Sequence, residues 1–265
     1  MIKMIATDMD GTFLDDYKEF DNDHFDFLNT KFEKENIKFV VASGNQYQQL
    51  LHYFNNDYSN QTYIAENGAL IINDGKIIFE KILTKEQLSN ILTLLSKIKI
   101  LKGAIVVLSG RKGAYVANSI SEKSMKETRK YYQNIIKVDD LKNVDDKIYK
   151  VSLNWIDQDT MNKENVLNAE VGDVHITSGG FGGLDIVPEN INKGTALEYL
   201  QDLWNIDKGD TAAFGDNYND FELLNTCDFG FAMKNANEYI LNSSKYVTEF
   251  DNNDDGVLRT IDMLV

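Results

Sequence analysis

The chain has 265 residues, a formal net charge of −15 and a single cysteine. That length can bury a large core, while the acidic balance argues against the basic face that nucleic acid or an anionic membrane would require. Cys227 has no partner for an intrachain disulfide, and no apolar run approaches the ~20 residues of a membrane span. Asp8 arrives too early after Met1 for a signal-peptide core, so the expectation is a cytoplasmic protein with neither a nucleic-acid nor a membrane partner.

Residues 2–7 read as a short apolar strand ending at Asp8. Phe25, Leu28 and Phe32 share one face of a helix. Ile37 to Ala42 is a second strand, and Tyr47, Leu50, Leu51 and Phe54 mark a second amphipathic helix. Tyr63-Ile64-Ala65 is a third strand. Such alternation predicts a parallel sheet covered by helices on both faces. The pattern then changes. Asn73-Asp74-Gly75-Lys76 reads as a hairpin turn, and Thr84 with Gln87 as a capping box. It opens a helix with Leu88, Ile91, Leu92, Leu95 and Ile98 on one face. Strands near 103–108 and 114–117, a helix with Met125 and Tyr132, a strand near 149–155, a helix near 158–169 and strands near 173–177 and 183–187 follow. From Asn192 the alternation returns: a helix with Leu197, Leu200 and Leu203, a strand from Thr211 to Phe214, an apolar stretch from Phe229 to Met233, a polar helix and a final helix with Val257, Leu258, Ile261 and Leu264. The predicted class is α/β. A discontinuous core, 1–82 and 187–265, holds a doubly wound parallel sheet, and an α+β cap is inserted over 83–186.

Four short elements follow strands or open helices of the alternating part, so they can converge on one sheet edge. In Asp8-Met9-Asp10-Gly11-Thr12, two carboxylates share a turn that Gly11 permits. One can act as a nucleophile and the other as a general acid and base. Ser43-Gly44-Asn45 offers a hydroxyl and backbone N–H groups to a phosphate, or else simply caps a helix. Lys193, in Lys193-Gly194-Thr195, can neutralise a phosphate and keep a carboxylate ionised. In Gly215-Asp216-Asn217-Tyr218-Asn219-Asp220, Asp216 can share a magnesium ion (Mg2+) with Asp8 and the backbone carbonyl of Asp10. Asn219 can donate to a phosphate, and Asp220 can hold a metal-bound water or orient Lys193. Each element alone is commonplace; together they supply the positioning and charge neutralisation that phosphoryl transfer needs.

In this order the four elements resemble the motifs of the haloacid dehalogenase superfamily. The insert between the second and third resembles the large C2-type cap of its Cof-type branch, as do Ala65-Glu66-Asn67-Gly68-Ala69 and Asp185-Ile186-Val187-Pro188. The resemblance implies a Rossmann-like core and a magnesium-dependent phosphatase acting through a phospho-aspartate on Asp8. Asp10 is then the acid and base. Asp8, the Asp10 carbonyl and Asp216 hold the metal, with Asp220 behind them, and Ser43, Lys193 and Asn219 hold the phosphate. Where many relatives carry Thr-Gly-Arg this chain has Ser43-Gly44-Asn45, within a string similar to a bacterial sugar-phosphatase subgroup. The expected partner is therefore a small phosphate ester, with sugar phosphates first. Flavin mononucleotide, pyridoxal phosphate and nucleotides are alternatives, and a phosphomutase or a non-catalytic phosphate binder stands further off. The expected assembly is a monomer or weak homo-oligomer. Ser109–Tyr115 and the Gly-rich turn Ser178–Gly183 are candidates for reading the leaving group, whereas His175 and Cys227 are expected to be structural.

Overall fold

A computed structural model describes residues 1–54, 61–155, 160–178 and 182–265. Strand β1 (Met4–Thr7) is wholly buried. Helix α1 (Asn22–Glu35) starts at the Asp21 cap, ends on left-handed Asn36 and buries Phe25, Leu28 and Phe32, the face its spacing predicts. Next come β2 (Lys38–Ala42), α2 (Tyr47–Tyr53) and β3 (Thr62–Ala65). β4 (Leu70–Asn73) and β5 (Lys76–Glu80) form the expected hairpin, with Asp74 and Gly75 both at positive φ.

The capping box of Thr84 and Gln87 opens α3 (Lys85–Lys97), which buries Leu88, Ile91 and Leu95. There follow β6 (Ile105–Gly110), β7 (Ala114–Ala117), α4 (Glu122–Thr128), β8 (Ile135–Val138), β9 (Ile148–Asn154), α5 (Met161–Glu170), β10 (Val174–Thr177) and β11 (Gly183–Pro188). Met125 lies on α4, but Tyr132 falls four residues beyond its end. The sequence pattern did not mark β8, a short and only half-buried strand. The start predicted for α5, residues 158 and 159, lies outside the described residues.

The chain then forms α6 (Lys193–Trp204), β12 (Thr211–Gly215), α7 (Phe221–Asn225), β13 (Phe229–Ala232), α8 (Glu238–Ser243), β14 (Tyr246–Val247) and α9 (Gly256–Leu264). On α6, Leu197 and Leu200 are buried, whereas Leu203 is 52% exposed. Two successive steps of three residues drift round a 3.6-residue helix, so Leu203 leaves the apolar stripe.

Among the described residues the strands form two sheets. The first runs β14-β13-β12-β1-β2-β3-β4-β5, parallel from β14 to β3 and antiparallel at the β4–β5 edge. It is an α/β sheet with a Rossmann-like parallel centre. From β1 the chain winds outward through β2 and β3, then returns on the other side through β12, so a cleft opens at the carboxyl end of β1. The second sheet runs β10-β11-β9-β6-β7-β8. Phe13 anchors the loop after β1 in a ring cluster with Phe20, Phe25, Phe39 and Phe54.

Candidate active site

Asp8, Ser43 and Asp216 directly follow β1, β2 and β12, three adjacent strands, so all three groups reach the same cleft. Lys193 is the first residue of α6, whose Asn192 cap forms a reciprocal capping box with Thr195. This lysine is fully buried. Its Nζ donates to Asp8 Oδ1 at 2.7 Å and to Asp220 Oδ1 at 2.6 Å. The other Asp220 oxygen accepts the backbone N–H groups of Asp216 and Asn217, which fixes the turn after β12. Asp216 accepts the Thr12 hydroxyl at 2.9 Å. Gly11 sits at φ +80°, and a Cβ there would stand 2.8 Å from Asp216 Oδ2, so only glycine lets the two loops approach this closely.

Oxygens of Asp8, Asp216 and Asp220 lie within 4.8 Å of one another. Burial first, then the Asp220 charge, push the Asp8 carboxyl well above its ordinary range, and Lys193 opposes them. Burial and Asp220 likewise push Asp216 up to about 7. Lys193 is held protonated by its two carboxylates against the cost of burial. Three carboxylates gather here and one ammonium pairs two of them, so the group has excess negative charge and hard oxygen donors, a set suited to a divalent cation such as magnesium.

Asp10 faces the same cleft. Its Oδ1 accepts Lys18 Nζ at 2.6 Å and its Oδ2 accepts the Asn45 amide at 2.7 Å. Lys18 carried no motif in the sequence; it reaches Asp10 because its own φ of +67° turns the loop back. Asn45 thus engages a carboxylate. Its backbone N–H donates to Ser43 Oγ at 3.1 Å, and α2 begins two residues later from Gln46, which makes no side-chain cap. Ser43 and Asn45 therefore do not cap that helix. The Asn219 amide donates to Asn67 Oδ1 at 3.1 Å.

A cavity of about 760 Å³ separates this floor from the second sheet. Strand alternation builds its opposite wall. Lys150, Ser152 and Asn154 on β9 stand beside Val107 and Ile105 of β6 and Asp185 and Gly183 of β11, all lining the cavity. The residues between them, Leu108, Val151, Leu153, Leu184 and Ile186, face away and bury against Leu88, Ile91, Leu95 and Leu167. Tyr131, Tyr132 and Trp155 add aromatic surface.

The candidate loop Ser109–Tyr115 turns elsewhere. Arg111 approaches Glu80, Lys112 and Tyr115 bond Asp146, and Ser109 bonds Glu66. It does not line this cavity, because the hairpin is tied to the strand ends beneath it. Gly183 of the second candidate does line it, while residues 179–181 lie outside the described residues. His175 is partly buried, its imidazole pKa lowered mainly by desolvation. Cys227 is buried, and burial pushes its thiol up to about 12.

Residues 5–261 match the profile of the haloacid dehalogenase-like hydrolases. The chain belongs to that family. Its full length is 33% identical to the Escherichia coli 5-amino-6-(5-phospho-D-ribitylamino)uracil phosphatase YbjI, covering 96% of that protein. Among solved structures it matches a Streptococcus mutans protein with a TM-score of 0.93 and 29% identity, covering 100% of this chain and 99% of the other. A subclass IIB sugar phosphatase of the superfamily shares the fold, with a TM-score of 0.83, 18% identity and 99% and 98% coverage. The protein is a haloacid dehalogenase-type phosphatase. Among the described residues no helix is long and apolar enough to cross a membrane.

Proposed function

We propose that this phosphatase hydrolyses small phosphate monoesters, sugar and polyol phosphates foremost, through a phospho-aspartate on Asp8, and that it works in the cytoplasm. The observation that carries the reading is the buried Lys193 ammonium, which holds Asp8 at the carboxyl end of the central strand and faces Asp8 onto the cavity. The ammonium favours the ionised nucleophile and offsets phosphate charge. Asp8 attacks phosphorus, the bond to the ester oxygen breaks, and Asp10 gives that oxygen a proton. Asp10 then takes a proton from water as the water attacks phosphorus, which frees Asp8 and inorganic phosphate. Lys18 and Asn45 orient the Asp10 carboxyl for both transfers. Asp8, the Asp10 carbonyl and Asp216 would hold magnesium, with Asp220 behind them through Lys193. When bound, the cation supplies charge neutralisation between the phosphate and the attacking carboxylate.

Residues 1–82 and 187–265 act as the core in this proposal, and 83–186 as the cap that excludes bulk water. A second reading has its own support. The aromatic side chains of Tyr131, Tyr132 and Trp155 suit a flat ring on the leaving group, and the E. coli relative is named for a ribityl phosphate attached to a uracil. A phosphate-release screen over sugar phosphates, ribitylaminouracil phosphate, flavin mononucleotide and nucleotides, with magnesium and with EDTA, separates the two. Turnover concentrated on sugar and polyol phosphates without an aromatic ring supports the first reading, preference for esters that carry one the second. Release unaffected by EDTA counts against the cation site.

A further inference from the structure

Behind the phosphate-facing loops lies a second buried charge cluster that the chemistry above does not use. It joins the two sheets. Lys150 of β9 is 4% exposed. Its Nζ donates to the Gly44 carbonyl at 2.5 Å and lies 3.2 Å from Asp185 Oδ2 and 3.5 Å from Glu66 Oε2. Glu66 Oε1 accepts the Ser109 hydroxyl at 2.6 Å. Asp185 Oδ2 also accepts the Asn67 amide at 2.8 Å, and Asn67 Oδ1 in turn accepts Asn219.

The backbone under this cluster is unusual. Glu66 and Asn67 are consecutive left-handed residues at φ +54° and +53°, a conformation that costs energy for side-chain-bearing residues. Gly68 follows at φ +100°, where a Cβ would stand 2.3 Å from the Asn192 carbonyl, just before Lys193. Glu66 and Asn67 donate their N–H groups to the carbonyls of Asn45 and Ser43. One strained turn therefore touches the loop after β2, the start of α6, the Asn219 turn and the second sheet.

We propose that Lys150, Asp185, Glu66 and Asn67 are positioning residues through which the cap sets the phosphate grip of the floor. The proposal rests on reading the cavity as the phosphate site. A peptide unit is planar, so pinning the Gly44 carbonyl on Lys150 fixes the direction of the Asn45 N–H. That N–H donates to Ser43 Oγ, which leaves the Ser43 hydroxyl proton for another acceptor at the cavity, where a phosphate oxygen fits. On the other side, Asp185 orients the Asn67 amide so that its oxygen takes one Asn219 N–H and leaves the second for the cavity. Lys150 Nζ is already engaged by the Gly44 carbonyl and paired with the Asp185 and Glu66 carboxylates, so its effect passes through the loops.

The test is calorimetric binding of inorganic phosphate to the magnesium-loaded full-length protein, with p-nitrophenyl phosphate kinetics alongside. Lys150→Met is expected to weaken phosphate binding about tenfold and to lower kcat/KM at least as much. Asp185→Leu should weaken it about fivefold, and Asp185→Asn, which keeps an acceptor for Asn67, should recover binding to within about twofold of wild type. Should Lys150→Met fail to fold, Asn67→Gly keeps the left-handed turn and removes only the amide, and it is expected to weaken phosphate binding about threefold. Folded Lys150→Met, Asp185→Leu or Asn67→Gly protein that binds phosphate within twofold of wild type while losing only thermal stability would overturn the proposal and leave the cluster a structural tie. Because binding is read without turnover, a wild-type protein that binds phosphate but releases none would undo the proposed function alone.

Discussion

The floor and the roof of the cavity are built on opposite principles. On the floor, Lys193, Asp8 and Asp220 are buried charged groups fixed on three separate segments, the start of α6 and the turns after β1 and β12. On the roof, apart from the Lys150–Asp185 pair that ties it to the floor, the strand face alternates with an apolar core behind it and presents mixed side chains, Ser152 and Asn154 beside Ile105 and Val107. A buried ion has one low-energy arrangement, because any loss of partner leaves charge in a low-dielectric interior. A mixed wall tolerates exchange, because its side chains need only fill space or find water. In the proposed function the chemistry accordingly belongs on the floor and selectivity on the roof.

The hardest blow to this contrast is on Asp8. Asp8→Asn is expected to cut phosphate release at least about a thousandfold and leave the fold intact, since Asp220 still pairs Lys193. Circular dichroism and a release assay check it, and activity within tenfold of wild type would remove Asp8 as nucleophile. Lys193→Met strands two buried carboxylates and is expected to cost ~3–5 kcal/mol of stability. Urea unfolding reads that cost, and a loss under 1 kcal/mol would mean the floor is looser than its contacts imply. Asp216→Ala should raise the magnesium concentration for half-maximal activity by at least about tenfold, so an unchanged titration would exclude it as a ligand. On the roof, Tyr131→Ala should change the ratio of kcat/KM between ring-bearing and open-chain phosphate esters by only about fivefold. A uniform loss across all esters would instead give the roof a part in the chemistry.

Much of the floor was legible because its residues fall in short strings at strand ends. Asp8-Met9-Asp10-Gly11-Thr12 and Gly215–Asp220 need only a parallel sheet to meet, and the alternation of strands and helices predicts one. The contacts of Asn45 and Lys18 with Asp10 were not legible. Each depends on how two loops fold back, and Lys18 at positive φ carries no pattern that announces it. Loop Ser109–Tyr115 was misplaced for a related reason: its polar residues suit a sugar or a hairpin equally, and the ties to Asp146 and Glu80 decide.

By itself the sequence determined the fold class and the carboxylates and lysine that gather at the ends of the parallel strands, since local periodicity and motif spacing encode them. The tertiary structure alone decided that Lys193 bridges Asp8 to Asp220 and that Lys150 and Asp185 close on Glu66 and Asn67. Those pairs join residues up to 185 positions apart: the order of strands in the first sheet brings Lys193 to Asp8 and Asp220, and the packing of the two sheets against each other brings Lys150 and Asp185 to Glu66 and Asn67.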